Sequence, residues 1–418
     1  MNVKKMTAVA MMFALTGCIA PMSTTSTEGV AGGKAAGTTF VADALKPFVE
    51  KGELPGAISI LYKDGVEEVA CLGYADVAAK RPITVDDPFM QCSQTKGFCG
   101  VTVAKLVEEG RLNLDDPVRK YLPEFKDIWY IDSDDKNGTR VVKKSPVDIT
   151  VRMVMNHTAG FDFELPGKQH NVKGGGWSGG MPIRIIAAEA AGRPVNFLPG
   201  TKAAYSNTGI DVGAAVVEVV TGMKWEDYLK KSVLDPLGMT ETGFKPTDAQ
   251  LKHQIEMYEC VKDQPAKWKL ENGWEQRPYN GDHVFPSAGA GLWTTARDQV
   301  KFYKMLMNLG VGDNGVRILK EETVKNLLAL SSRPAELGDY SLGLNAPVTD
   351  AEDKWFGHGG AWGTSCMVNW HTKSLKLWVV QLNGGPRPWD ELNAKAADRF
   401  FQTKIDNSGV NAYTGRTK

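Results

Sequence analysis

Strand signals sit at the two ends of this 418-residue chain, and helical signals fill the middle. Near the start, an apolar run from Ala57 to Tyr62 and a second run from Val66 to Tyr74 flank Asp64-Gly65, a strong hairpin signal. Near the end, Thr364 to His371 and Leu375 to Leu382 flank Lys373-Ser374 in the same way. Helices are expected from about Phe40 to Lys51, Gly209 to Val220, Ala296 to Leu309 and Pro388 to Lys404. Two hairpins so far apart bury a common apolar face most simply in one sheet. The expected fold is α/β of the α+β type, a central antiparallel sheet built from both ends of the chain and flanked by helices, with a mainly helical lobe inserted. The sheet lobe is expected over 39–88 and 286–407 and the helical lobe over 89–285. The polar stretch Ser133 to Lys144 reads as an excursion, and Lys262 to His283 as a long loop or flap.

The first residues read as an address. Lys4 and Lys5 precede an apolar run from Met6 to Leu15 that is too short to span a bilayer. Residues 1–17 are expected to be a secretory signal peptide. Leu15-Thr16-Gly17-Cys18 resembles the lipobox of bacterial lipoproteins, which implies cleavage before Cys18, a lipid on that cysteine and a location at the periplasm or cell surface. Residues 18–38, rich in Ser, Thr, Gly and Ala, read as a flexible tether. Loss of the two leader lysines takes the 49 basic groups to 47, against 49 acidic ones. So balanced a chain, with no basic stripe, gives no footing for a nucleic-acid partner. Membrane attachment is expected only through Cys18. The remaining cysteines, Cys71, Cys92, Cys99, Cys260 and Cys366, form no C-x-x-C pair and suggest no disulfide framework. Cys92 reads as a small buried apolar residue. The six histidines lack His-Glu-x-x-His or other ligand spacing, so neither a metal nor another cofactor is expected.

Chemistry first suggests itself at Gln91-Cys92-Ser93-Gln94-Thr95-Lys96. An apolar run follows through Val101, Val103, Ala104 and Leu106. If it is a helix, Ser93 lies in its first turn, and Lys96, three residues on, shares its face. Serine is a poor nucleophile without a neighbouring base, and a lysine serves as that base in its neutral form. A helix N-terminus would add N–H donors for an oxyanion. The spacing alone is weak, since Ser133-x-x-Lys136 repeats it in a polar stretch.

Two further groups strengthen the reading. Tyr205-Ser206-Asn207 is the only Tyr-x-Asn in the chain. A phenol beside an ammonium can relay a proton to a leaving group, and an amide can hold both a substrate carbonyl and the lysine. Gly357-His358-Gly359-Gly360-Ala361 precedes the first of the two late strands. Its glycines would let a substrate approach the backbone, and the Ala361 N–H is a candidate oxyanion donor. The glycine-rich run Gly174 to Gly180 lacks a Gly-Lys-Ser/Thr ending, so it reads as a surface loop and not a phosphate cradle. Trp177, Trp274, Trp293 and Trp362 are candidate cleft residues.

Ser93-x-x-Lys96, Tyr205-x-Asn207 and His358-Gly359-Gly360, in that order, resemble the motifs of the class C β-lactamase-like serine hydrolases. That group includes class C β-lactamases, DD-peptidases, D-aminopeptidases and family VIII carboxylesterases. Asn156-His157-Thr158-Ala159-Gly160, Leu198-Pro199-Gly200-Thr201, Pro236-Leu237-Gly238-Met239-Thr240 and Gly291 to Asp298 also match, so the resemblance runs from about residue 40 to 402. It implies that Ser93 is acylated, that Lys96 and Tyr205 form the acid–base pair, and that Asn207 binds substrate and orients Lys96. It also implies that the Ser93 and Ala361 N–H groups form the oxyanion hole. His157 is assigned a structural role. His358, Gly359 and Gly360 stand where the β-lactamases carry Lys-Thr-Gly. There the threonine hydroxyl helps bind the lactam carboxylate, which Gly359 cannot do, and histidine is no permanent cation near neutral pH. Arg387 is the candidate replacement for the lost anchor. Carboxylesterase or D-amino-acid peptidase therefore ranks ahead of a true β-lactamase or penicillin-binding DD-peptidase. The expected partner is a small ester, peptide or lactam. A non-catalytic lipoprotein that binds cell-wall peptides is the alternative outside enzymology, and intact Ser93, Lys96 and Tyr205 argue against it.

Overall fold

Strand Gly56–Lys63 sits inside the main sheet and is apolar on both sides for a physical reason. Ile58 and Ile60 point to one core, and Ala57 and Leu61 point to another, as period-2 geometry requires. In the computed structural model, residues 40–134, 136, 139–165, 182–261, 264–270, 285–383 and 396–402 are described. The expected signal peptide, the tether with Cys18, the glycine-rich run with Trp177, Trp274, Arg387 and most of the expected C-terminal helix lie outside the described residues.

The main sheet has six antiparallel strands, in the order Phe356–Gly360, Thr364–Asn369, Ser374–Val379, Gly56–Lys63, Val66–Asp76 and Arg81–Pro82. The two ends of the chain meet where Ile58 pairs with Val379 and Lys63 with Ser374. Asp64 and Gly65 both have positive φ, the requirement of the tightest hairpin turn. One face packs under the helix Phe40–Glu50, whose first two N–H groups, on Phe40 and Val41, donate to the buried Glu68 carboxylate. The other face meets the large core, through Ile58, Ile60, Leu375, Leu377 and Val379.

The polar excursion forms a two-stranded hairpin, Trp129–Asp134 against Arg140–Lys144. Ion pairs such as Lys143–Asp132, at 2.8 Å, lie along it, and its charges had obscured its strand character. The expected flap is likewise partly strand. Gln264–Leu270 pairs with Tyr258–Val261, which in turn meets Leu382–Asn383 in parallel.

Helix Thr95–Glu108 is buried on nearly every side, and Phe98, Val101, Val103, Ala104 and Leu106 are all in the core. A helix so enclosed needs small residues where other backbone crosses it. A Cβ on Gly100 would lie 1.7 Å from the Leu342 carbonyl oxygen, and one on Gly97 would lie 2.5 Å from a Leu344 methyl. The crossing segment is itself pinned, since Gly343 N–H donates to Met155 O at 3.2 Å. Helix propensity alone would favour alanine at position 100 by about 1 kcal/mol. Forced overpacking against fixed backbone costs about 1–3 kcal/mol or more and decides the sign. We expect Gly100→Ala to lower unfolding stability by about 2 kcal/mol in urea titration. An unchanged or raised midpoint would mean that the Leu342 segment yields.

Candidate active site

Ser93 follows a residue under strain. Cys92 has φ of +51°, a left-handed conformation that costs a non-glycine residue about 1–2 kcal/mol. Thr95 Oγ1 donates to the Cys92 carbonyl at 2.7 Å and holds the turn. The Cys92 side chain is buried beside Met90 and Trp293, as expected of a small apolar residue. Ser93 lies in a 3-10 turn, Cys92–Gln94, one step before the α-helix Thr95–Glu108, and not in that helix's first turn. The same-face relation survives the shift. Lys96 Nζ lies 3.2 Å from Ser93 Oγ.

Lys96 is fully buried, so its donors need partners. Nζ donates to Asn207 Oδ1 at 2.5 Å and to the Gly289 carbonyl at 2.6 Å. Neither oxygen can give a proton back. These two bonds fix the rotation of the amine, and its remaining direction points at Ser93. There an ammonium donates and a neutral amine offers its lone pair. The Tyr205 ring centre lies 4.5 Å from Nζ and adds a cation–π contact.

Asn207 opens the helix Asn207–Thr221. Ser206 caps that helix, accepting from Gly209 N–H at 2.9 Å and donating to Asp162 O at 2.7 Å. The Asn207 amide N–H₂ donates to Glu164 Oε1 at 3.0 Å, so a carboxylate on one side and Lys96 on the other set its orientation. Gly289 is held by the buried Asp211, whose Oδ1 accepts from Gly289 N–H at 3.1 Å and from Ser287 Oγ at 3.2 Å. A Cβ at 289 would lie 2.8 Å from Asn207 Cβ.

Tyr205 is 38% exposed, while its hydroxyl reaches inward to Ser93 and to His358 Nε2, 3.4 Å away. Burial of the hydroxyl raises its pKa, and the Ser93 hydrogen bond opposes the rise only in part. His157 lies between the rings of Tyr205 and Tyr340, with centroids 4.5 Å from each. Its Nδ1 accepts from Ser206 N–H at 3.3 Å. That is a structural use of the Asn156 to Gly160 phrase. The Leu198 to Thr201 phrase packs on it through Gly200 N–H to Thr158 O at 2.9 Å.

His358, Gly359 and Gly360 form most of the edge strand Phe356–Gly360, so the stretch expected to precede a strand is itself one. Gln94 Nε2 donates to the His358 carbonyl at 3.0 Å, and Gln299 Nε2 donates to Gln94 Oε1 at 2.7 Å, which ties the edge to the Ser93 turn. At Gly360 a Cβ would meet the Gln91 carbonyl oxygen at 2.3 Å, whereas at Gly359 its nearest contact is 3.6 Å. Ala361 follows at an exposed turn. Among the described residues, then, the fold brings together Ser93, Lys96, Tyr205, Asn207 and His358, with Gly359, Gly360 and Ala361 following His358 along the chain. It leaves the rival Ser133 and Lys136 exposed. Sequence reasoning missed Glu164, Gly289 and Tyr340. Only Gly289 had a signal, the run of small residues after Pro286.

His358 is buried, and its pKa falls from the ordinary 6.5 to about 3, mainly through burial and then through the Lys96 charge, while the hydrogen bond to Gly359 works the other way. Its folded value thus lies below its unfolded one. Between the two, the unfolded chain binds a proton that the folded chain refuses, so stability is full above pH 6.5 and is lost as pH falls through this window. His157 is shifted in the same direction by burial. Each such histidine adds at most about 1.4 kcal/mol per pH unit to the slope. We expect His358→Gln to flatten the fall in stability between pH 6.5 and 4.5 by about one proton's worth. An identical slope in both proteins would place the His358 proton elsewhere in the titration.

A family model described as Beta-lactamase matches residues 41–399. The chain is 28% identical over 364 residues to Protein Rv1367c of Mycobacterium tuberculosis, covering 81% of this chain and 88% of that one. In fold it is similar to a mutant of simvastatin synthase LovD from Aspergillus terreus, with a TM-score of 0.70 and 21% identity over 88% of this chain and 99% of that one. It is also similar to EstCE1, a hydrolase with promiscuous acyltransferase activity, with a TM-score of 0.61 and 19% identity over 85% and 97%. With one family model spanning almost all of the folded chain, the protein belongs to the Beta-lactamase family, the serine hydrolases of the β-lactamase fold.

Proposed function

We propose that this protein is an acyl-serine hydrolase in which Ser93 carries the acyl group, acting as a carboxylesterase or a D-amino-acid peptidase in preference to a β-lactamase. The observation that carries the chemistry is the aim of Lys96. With two of its directions held by Asn207 Oδ1 and Gly289 O, a neutral amine turns its lone pair to the Ser93 hydroxyl. Lys96 takes the Ser93 proton as Oγ attacks the carbonyl carbon. The backbone N–H groups of Ser93 and Ala361 hold the oxyanion. Tyr205, kept a phenol by burial, gives its proton to the leaving oxygen or nitrogen as that bond breaks, and recovers one from the Lys96 ammonium. Water then attacks the ester on Ser93, with the same groups working in reverse.

The substrate ranking rests on His358 and Gly359. A neutral imidazole replaces a fixed cation, and glycine replaces a hydroxyl, at the edge where a lactam carboxylate would bind. Asn207 meets the carbonyl side of the substrate, with Gly360 giving close access to the edge strand. Similarity to EstCE1 supports the ester side of this reading. We also propose export and anchoring through a lipid on Cys18, on the strength of Leu15-Thr16-Gly17-Cys18. Expressed with its leader in bacteria, the wild type should partition with membranes and Cys18→Ala should not. Recovery of the wild type in the soluble fraction would refute the anchor.

Intact mass after incubation with a penicillin, and product release from a short-chain aryl ester, test the function. We expect ester release that is lost by at least 100-fold in Ser93→Ala, with little lactam turnover. Gly359→Thr fits the strand, since its Cβ meets nothing closer than 3.6 Å, and should raise penicillin acylation about 10-fold. Rapid lactam hydrolysis by the wild type would overturn the ranking. Absence of ester release and of any Ser93 adduct would favour a binding lipoprotein.

A further inference from the structure

Tyr340 has no counterpart in the motifs, yet its hydroxyl lies 2.9 Å from His358 Nε2. The residue is buried, and burial raises its pKa strongly, so it is a phenol. On the far side of the imidazole, Nδ1 is hydrogen-bonded to the Gly359 carbonyl, which can only accept. Nδ1 therefore carries the ring proton, and Nε2 of the neutral ring has one lone pair and no hydrogen. Two phenols compete for that lone pair. Tyr340 makes a normal hydrogen bond at 2.9 Å, and Tyr205, at 3.4 Å, is too far for a good one. The ring planes of Tyr340 and Tyr205 are nearly perpendicular.

Resting on the acyl-serine reading above, we propose that Tyr340 is a positioning residue, which occupies the acceptor nitrogen of His358 and so leaves the Tyr205 proton free for the leaving group. Without the Tyr340 hydroxyl, Tyr205 closes on Nε2 and its O–H turns away from the substrate. The proton that should pass from Tyr205 to the departing alkoxide is then held by His358 through acylation. The segment that carries Tyr340 can hold it accurately. Ser341 N–H donates to Leu344 O at 2.8 Å, and Gly343 lies against the Lys96 carbonyl, where a Cβ would come within 2.2 Å. The guanidinium of Arg333 lies over the Tyr340 ring, 4.9 Å from its centre.

The test separates leaving-group protonation from folding. Tyr340→Phe is assayed on esters of one acyl group with leaving groups from nitrophenol to a simple alcohol. Nitrophenolate departs without a proton, so its kcat/KM should stay within about 2-fold of wild type. The alkyl ester should lose about 10-fold or more in kcat with little change in KM, part of the 100-fold or greater contribution of a placed general acid. Equal losses across the series, or no loss, would overturn the proposal. The second measurement is the nitrogen-15 shifts of His358 in the wild type, which need no variant and no turnover. A proton on Nδ1 and a bare Nε2 are expected, whereas a proton on Nε2 removes the competition and sinks the idea. Should the wild type release no product from any ester, the acyl-serine reading fails in that assay, and the nitrogen shifts still judge Tyr340.

Discussion

Burying the amine of Lys96 is the demand that the rest of the site answers. A buried amine or ammonium without partners costs several kcal/mol, more than most single contacts can return. Its hydrogen-bond partners come from the 3-10 turn at Ser93, the helix that starts at Asn207, and the loop at Gly289. These three elements are far apart in sequence, so satisfying one nitrogen fixes them against each other. Asp211 repeats the device one layer out, since it sits on the Asn207 helix and holds Ser287 and Gly289. Glycine at 289 follows from the same constraint, because any side chain there would strike Asn207.

The sheet edge supplies the facing wall. An unpaired edge strand exposes N–H and C=O groups that invite pairing with another chain. Here Phe356–Gly360 is short, Asn345 pairs with it at Gly357, and the Ser93 turn packs on it through Gln94 and the preceding Gln91. Gln94 Nε2 holds the His358 carbonyl, and Thr364 Oγ1 donates to Gln91 O at 3.3 Å. The close approach of Gln91 explains why Gly360 must be glycine, whereas Gly359 faces room. Of the two glycines, only Gly360 is fixed by packing.

Much of this was legible in the sequence, and the parts that were not have two causes. The hairpins at both ends were legible from their apolar runs, and the first also from its turn chemistry at Asp64-Gly65. Ser93, Lys96, Tyr205 and Asn207 stood out because their order along the chain, with the accessory phrases, matches a family pattern, although the Ser-x-x-Lys spacing alone is weak. Glu164 and Tyr340 did not, because each acts through a contact with one other side chain, Asn207 or His358, that no local pattern records. The two missed strand regions had a different cause. Trp129–Asp134 and Gln264–Leu270 carry charged or polar residues where a buried strand would be apolar, so the alternation signal failed.

Charge around the cleft bears on what the site can hold. Asn207 turns its oxygen to Lys96 and its N–H₂ to Glu164, so a substrate carbonyl must share that N–H₂ with a carboxylate already in place. Glu164 puts negative charge on this side of the cleft, while His358 puts none of the compensating positive charge on the other. On the proposed acyl-serine reading, a carboxylated substrate meets repulsion at Asn207 and finds no cation at the sheet edge. A neutral acyl group meets neither penalty, and its ester or amide carbonyl needs only the N–H donors. The absent threonine hydroxyl, the neutral imidazole and the Glu164 carboxylate thus act in one direction. That agreement between independent features weighs more than the loss of a single motif residue.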